Sequence, residues 1–338
     1  MTKVLVTGGS GFIAVHILDL LLNKGYEVIT TVRSESKAEF LKAKFPGKPL
    51  ETAIVPDIAV EGAFDEVSKT PGIAYVLHTA SPFHFKSTDP MDLINPAVIG
   101  TTSILKALAA NAPSVKQVVV TSSFASIVDV SKLDGKTTYT EASWNPDKLE
   151  DAFKDAGRAY RTSKVLAEKA AWKTVEELGA PFALTTVCPP MVFGPVAHDL
   201  QTFAEINTSN GFMVKLLAGE WREHIPELTG AYSWVDVRDV ARAHVLALEK
   251  PAAKGQRLFT IKGLYSWREI IKIVYDNFPE KREKLPSLDA PGGDLPDDPY
   301  KFNNDKTKEI LGMEWVELET TIKDLAQSLI DLEAKIGK

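Results

Sequence analysis

Cysteine is almost absent from this chain. Cys188 is the one cysteine in 338 residues, which rules out an internal disulfide, a multi-thiolate zinc site and a C-x-x-C redox pair. Six histidines, at 16, 78, 84, 198, 224 and 244, show no tight ligand spacing such as H-E-x-x-H, so no metal is expected. No Lys/Arg-rich block occurs. With 39 basic against 45 acidic residues the formal net charge is -6, and nucleic acid and anionic membrane surfaces, which need a basic footprint, are not expected partners. No run of about 18 uncharged apolar residues is present, and the start, Met1 to Gly8, is too short in apolar residues for a signal segment. These absences describe an intracellular, cytoplasmic chain, in which the sequon Asn207-Thr208-Ser209 carries no glycan.

What remains is an ordinary globular composition, 44% hydrophobic and 25% charged. Short apolar runs alternate with helical stretches over the first 190 residues, the pattern of a parallel sheet covered on both faces. Strands are expected at 3–7, 27–32, 51–55, 73–79, 117–122 and 183–188. They read as continuous apolar runs, as strands buried on both faces do. A helix is expected from Gly11 to Asn23, and another opens at Asn95-Pro96, with Asn as N-cap and Pro in the first turn. The segment from Val196 to Pro226 carries no strand signal and reads as a lid or pocket wall. A strand at 232–235 and a helix at 240–249 return the chain to the first domain. A strand at 257–261, a capping box at Ser266-Trp267-Arg268-Glu269 and a helix from about 320 to 334 follow. The fold class expected is α/β, a Rossmann doubly wound parallel sheet (residues 1–195 and 226–256) with a smaller, mostly helical substrate domain (196–225 and 257–338).

The first strand runs into Thr7-Gly8-Gly9-Ser10-Gly11-Phe12-Ile13-Ala14, and a helix follows at once. Small residues at 8, 11 and 14 allow the backbone to approach a pyrophosphate, and the helix N-terminus offers free N–H groups to it. A P-loop is excluded because no Gly-Lys-Ser/Thr follows, and a nucleophile elbow because Phe12 stands where its second glycine would be. At the end of the second strand an NAD site usually carries Asp or Glu. Here the chain reads Thr31-Val32-Arg33 with Lys37 beyond, two cations suited to a ribose 2′-phosphate, so NADP(H) is the expected cofactor.

Tyr160 and Lys164 stand at i and i+4 of a helical stretch and point the same way. That spacing is common and decides nothing alone. Ser123, however, ends a predicted parallel strand, at the carboxyl edge where such sheets bind ligands, and its hydroxyl can hold a substrate carbonyl. A cation beside a phenol lowers its pKa toward the range useful for proton transfer.

With the glycine turn, Ser123, Tyr160 to Lys164 and the run Pro189-Pro190-Met191-Val192-Phe193-Gly194-Pro195, the chain resembles the extended short-chain dehydrogenase/reductases. More narrowly it resembles the fungal NADPH-dependent methylglyoxal/carbonyl reductases, relatives of dihydroflavonol and cinnamoyl-CoA reductases. His78-Thr79-Ala80-Ser81-Pro82-Phe83, Ser143 to Pro146 and Val235 to Ala241 extend the likeness over nearly the whole chain. The resemblance implies that Tyr160 protonates a carbonyl oxygen, that Lys164 lowers the Tyr160 pKa and holds the cofactor ribose, and that Ser123 polarises the carbonyl. It implies cofactor contacts from Thr7, Gly8, Ser10, Gly11, Phe12, Ile13, Arg33, Lys37, Asp57, Ile58, Thr79, Ala80, Ser81, Tyr160, Lys164, Pro189, Val192 and Ser209. Phe83, Phe124, Val128, Gly157 and Met191 would wall the pocket of a small carbonyl substrate, in a monomer or homodimer. Ile99 stands where relatives often carry Asn. Epimerases and hydroxysteroid dehydrogenases share the scaffold but usually pair NAD with an acidic residue after the second strand. A non-catalytic NADP sensor would have no need of Ser123, Tyr160 and Lys164 together. Cys188 reads as a small buried hydrophobe, Asp236 and Asp239 as helix caps, and Trp234, Trp267 and Trp315 as core.

Overall fold

The computed structural model describes residues 2–81, 89–228, 230 and 232–336. The chain begins with β1 (Lys3–Thr7), α1 (Phe12–Asn23), β2 (Glu27–Val32), α2 (Glu35–Lys44), β3 (Leu50–Ile54), α3 (Asp65–Ser68), β4 (Ile73–His78), α4 (Met91–Asn111) and β5 (Gln117–Thr121). It continues through β6 (Thr138–Tyr139), α5 (Ala156–Leu178), β7 (Ala183–Val187), β8 (Met191–Phe193), α6 (Thr208–Ala218), β9 (Ser233–Asp236) and α7 (Val237–Glu249). Then come β10 (Arg257–Leu258), β11 (Gly263–Leu264), α8 (Trp267–Asn277), β12 (Lys301–Phe302), α9 (Asp305–Leu311) and α10 (Leu318–Ile336).

Seven strands form one parallel sheet in the order β10-β7-β5-β4-β1-β2-β3. This is the doubly wound Rossmann arrangement. Its strands feed both faces: Val4 and Val6 join the core beneath α1 and α7, while Leu5 between them joins the core beneath α4 and α5. A strand that must be apolar on alternate faces is apolar throughout, which is why the runs do not alternate. From β1 the chain builds outward through β2 and β3, then crosses back to β4 on the other side of β1. The connections after β1 and β4 therefore part company, and a crevice opens at the carboxyl ends of these strands.

Two small sheets, β11-β9-β8 and β12-β6, stand beside the main one. A second, aromatic-rich core lies under α6, α8 and α10, where Trp221 and Trp267 rings meet at 5.0 Å and Trp234 is also buried. Capping follows the sequence there: Ser266 accepts the Glu269 N–H. The main sheet's edge strand β10 falls at 257–258, just past the expected boundary at 256.

Three expectations are corrected. First, α4 begins at Met91, not at Asn95-Pro96, and Pro96 lies inside it. Leu93 and Ile94 are buried, and packing that first turn outweighs the backbone hydrogen bond that Pro96 cannot donate. Second, the 196–226 stretch contains a regular helix, α6, closed by Gly219 at φ 88°. Third, the strand expected at 257–261 pairs with β7 only over Arg257 and Leu258, because the Phe259 N–H turns to Thr307 Oγ1. Among the described residues α4 is long and apolar enough to cross a membrane, but half of its apolar window is buried within the protein, where it packs on α5.

Candidate active site

Every strand that reaches the crevice contributes to it. After β1, Gly8 adopts φ 73°, a left-handed conformation, and a Cβ there would lie 3.0 Å from Ala80 Cα. Only glycine fits both constraints. Gly9 is closed off by Thr30, whose Oγ1 would sit 2.0 Å from an added Cβ. The turn is held by Gly11 N–H to Gly8 O at 2.9 Å and Gly8 N–H to Thr31 Oγ1 at 3.1 Å. Helix α1 then starts with Gly11 as N-cap and no side-chain cap, so side chains leave its first N–H groups to a ligand. Phe12 and Ile13 pack with Val192, from β8, in one apolar cluster.

After β4, Thr79 Oγ1 donates to Thr7 O at 2.6 Å and the Ala80 N–H to Thr7 Oγ1 at 3.2 Å. Thr7 Oγ1 also meets His78 Nδ1 at 2.8 Å. Burial takes the His78 imidazole down to about 3, so it stays neutral. Ser81 accepts from Lys164 Nζ at 2.9 Å. After β5, the Ser123 hydroxyl caps a short 3₁₀ turn by accepting the Ala125 N–H at 3.1 Å, and Tyr160 Oη donates to it at 3.5 Å. After β7, Pro189 O accepts the Phe124 N–H at 2.8 Å, and Ser209, in the first turn of α6, donates to Val192 O at 2.6 Å. Tyr160 and Lys164 come from α5, whose N-cap Asp155 accepts the Arg158 N–H. The structure thus joins Ser123, Tyr160, Lys164, Ser81 and the glycine turn.

The electrostatics differ from expectation at one point. Burial raises the Tyr160 phenol above its ordinary range, and its bond with Ser123 only partly opposes this. Lys164 was expected to lower it. Its Nζ instead turns to Ser81 and lies 5.7 Å from the centre of the Tyr160 ring, while loss of hydration brings Lys164 itself down to about 8. A raised phenol is fully protonated at neutral pH, the state from which a proton donor starts.

Other expected residues are placed less centrally. Arg33 is exposed after β2, and Lys37 is held by Asp199 at 3.1 Å. Asp57 accepts the Ala59 N–H at 2.8 Å, and Ile58 packs where a Cβ on Gly100 would meet its Cδ1 at 2.9 Å. Ser10, Met191 and Gly157 are half-buried. Phe124 and Val128, expected in the pocket wall, are each 2% exposed. Phe124 stacks on Phe259 at 5.1 Å and edges Tyr139 at 5.6 Å, so both belong to the core. Phe83 lies outside the described residues. Ile99 is exposed on α4. Asp236 does cap α7, by accepting the Arg238 N–H, whereas Asp239 instead binds Arg242 and the Val316 N–H.

The sequence reading missed a buried polar cluster behind the site. Glu168, one turn beyond Lys164, accepts from Ser122 at 2.6 Å and from Thr186 at 2.8 Å, and also binds Ser126. Arg257 Nε pairs with it at 2.7 Å. Its Nη1 donates to the carbonyls of Glu141 and Ser143, its Nη2 to Ser126 Oγ and Glu168 Oε2, and its guanidinium lies 3.7 Å from the centre of the Trp144 ring. Burial would raise the Glu168 carboxyl, but Arg257 and the hydroxyls hold it below its usual range. Cys188 lies against this cluster, and burial pushes its thiol up to about 12, so it remains an unreactive thiol.

Residues 4–261 match the NAD dependent epimerase/dehydratase family. The chain is 39% identical over 337 residues to a ketoreductase of Aspergillus niger, an alignment spanning 97% of this chain and 98% of the relative. It is 40% identical over 344 residues to an NADPH-dependent methylglyoxal reductase of Saccharomyces cerevisiae, spanning 99% and 100%. The solved structure of the yeast methylglyoxal/isovaleraldehyde reductase complexed with NADPH superimposes with a TM-score of 0.91 at 39% identity, over 99% of this chain and 100% of that one.

Proposed function

This chain belongs to the NAD dependent epimerase/dehydratase family, and from that premise we propose that it is an NADPH-dependent reductase of small carbonyl compounds. The substrates are ketones and aldehydes such as 2-oxoaldehydes, diketones and keto esters, which become alcohols. The observation that carries the reading is the Tyr160 hydroxyl 3.5 Å from Ser123 Oγ, with the Lys164 ammonium one turn along the same helix.

The residues fit NADPH. The turn at Gly8 leaves no room for a side chain, the first N–H groups of α1 lack a side-chain cap, and Arg33 supplies an exposed cation where NAD sites carry an acid. When bound, NADPH supplies the hydride. Ser123 donates a hydrogen bond to the carbonyl oxygen, and Tyr160 gives that oxygen its proton. The Lys164 ammonium, kept in place by Ser81 5.7 Å from the centre of the Tyr160 ring, acts on the phenolate left there as a distant positive charge, which in the resting site is outweighed by the burial that raises the phenol.

The test is steady-state turnover over a panel of 2-oxoaldehydes, diketones, keto esters and aryl ketones. NADPH should exceed NADH in kcat/KM by at least about tenfold, the work of a charge-assisted phosphate contact. A preference for NADH, or failure on every carbonyl, would refute it.

A pH dependence follows from Lys164. With its pKa near 8, the ammonium is present below that pH and lost above it, while the raised Tyr160 stays protonated. At saturating NADPH, log kcat/KM for the carbonyl is expected to fall as pH rises through about 8. A profile flat to pH ~10, the ordinary lysine range, would remove Lys164 from this role.

A further inference from the structure

One of the two cations expected to meet the cofactor already has an anion. Lys37 Nζ, on α2, donates to Asp199 Oδ2 at 3.1 Å and to the Asp199 carbonyl at 3.2 Å. Asp199 belongs to the connection between β8 and α6. Its other carboxylate oxygen accepts from Gln201 Nε2 at 2.9 Å. The connection is itself seated on the start of α1: His16 Nε2 meets Pro195 O at 3.1 Å, and the His198 ring lies 5.6 Å from that of Phe12. The Asp199 side chain is only 17% exposed. It is an anion fixed beside the phosphate-binding face of the sheet.

A carboxylate and a phosphate make the same demand on a lysine, an N–H donor and a positive charge. A 2′-phosphate brings about −1.5 to −2 charges. Reaching Lys37, it must share the ammonium with Asp199 and approach a like charge. NADH carries no such group and meets no competition. We infer that Asp199 is a specificity-determining residue, an internal competitor that holds Lys37 and weakens binding of the phosphorylated cofactor alone. This rests on the reading that Arg33 and Lys37 receive the 2′-phosphate.

The experiment is equilibrium titration with NADPH and with NADH of the unaltered chain, D199N, K37A and the double variant, with thermal unfolding recorded for each. D199N is expected to tighten NADPH about fivefold, the scale of a partly exposed charge pair, and to leave NADH within about twofold. In the K37A background the same substitution should shift NADPH by less than about twofold, because the two residues act together. Asp199→Ser, a smaller replacement, should move NADPH in the same direction. Weaker NADPH binding in D199N, equal tightening of both cofactors, or disagreement between the two replacements overturns the inference. An unaltered chain that binds NADPH no tighter than NADH instead removes the phosphate reading beneath it.

Discussion

Replacing Tyr160 with phenylalanine is expected to lower kcat for carbonyl reduction by about a thousandfold, within the range that a positioned proton donor contributes. NADPH affinity and melting temperature should change little. The substitution removes one hydroxyl whose described bond, to Ser123, is long at 3.5 Å, and the half-buried ring keeps its packing. The loss should be in kcat, with a smaller change in KM, because the proton transfer belongs to the transition state. Solvent can replace the donor only poorly. Rates within tenfold of the parent chain, with cofactor binding intact, would assign the proton to another group and dismantle the proposed chemistry.

The second large effect concerns folding. Arg257→Ala is expected to destabilise the chain by about 3–5 kcal/mol, the cost of leaving one member of a buried ion pair without its partner. Glu168 is fully buried and Arg257 nearly so, at 0% and 10% side-chain exposure. The substitution also orphans the Glu141 and Ser143 carbonyls and uncovers Trp144. Thermal unfolding should shift down by on the order of 5–10 °C. Removing both charges together, as Arg257→Met with Glu168→Gln, should cost less than Arg257→Ala, because no charge is then left uncompensated. The carboxyl of Glu168 is held below its usual range, so its share of stability is present above the unfolded carboxylate pKa of about 4.3 and disappears as pH falls through the lower folded value. An unchanged melting temperature in Arg257→Ala would show that water reaches the cluster.

The main sheet was legible to within a residue at almost every strand, because a doubly covered strand must be apolar on both faces and turn residues bound it. The glycine turn could be read for a similar reason, since only glycine meets its backbone constraints. The Tyr160–Lys164 spacing decided nothing alone, and the roles given to it and to Ser123 rested on the place of Ser123 at a strand end and on the resemblance. Helix α6 could have been found from Phe212, Met213, Leu216 and Leu217 followed by Gly219, a helical stripe with its closing glycine, but His, Asn and Gly around it obscured the period. Strands β8, β11 and β12 are two or three residues long, too short for any period to show. The Lys37–Asp199 and Glu168–Arg257 pairs join residues 162 and 89 positions apart, and no local pattern records such a distance. Phe124 and Val128 were expected in the pocket wall from the resemblance alone, and no local pattern distinguishes such a wall residue from the core in which both are buried.

Ser123 offers a count of its own. A serine hydroxyl has two lone pairs and one proton. One lone pair takes the Ala125 N–H and the other the Tyr160 hydroxyl, so what remains for a third group is the proton. While the Tyr160 hydroxyl points at it, Ser123 can only give, so the resting arrangement favours a ligand atom that accepts, as a carbonyl oxygen does, over an amine or ammonium. Once Tyr160 turns its proton to that oxygen, the lone pair it occupied on Ser123 is released, so the valence of one side chain selects the ligand at arrival and not afterwards.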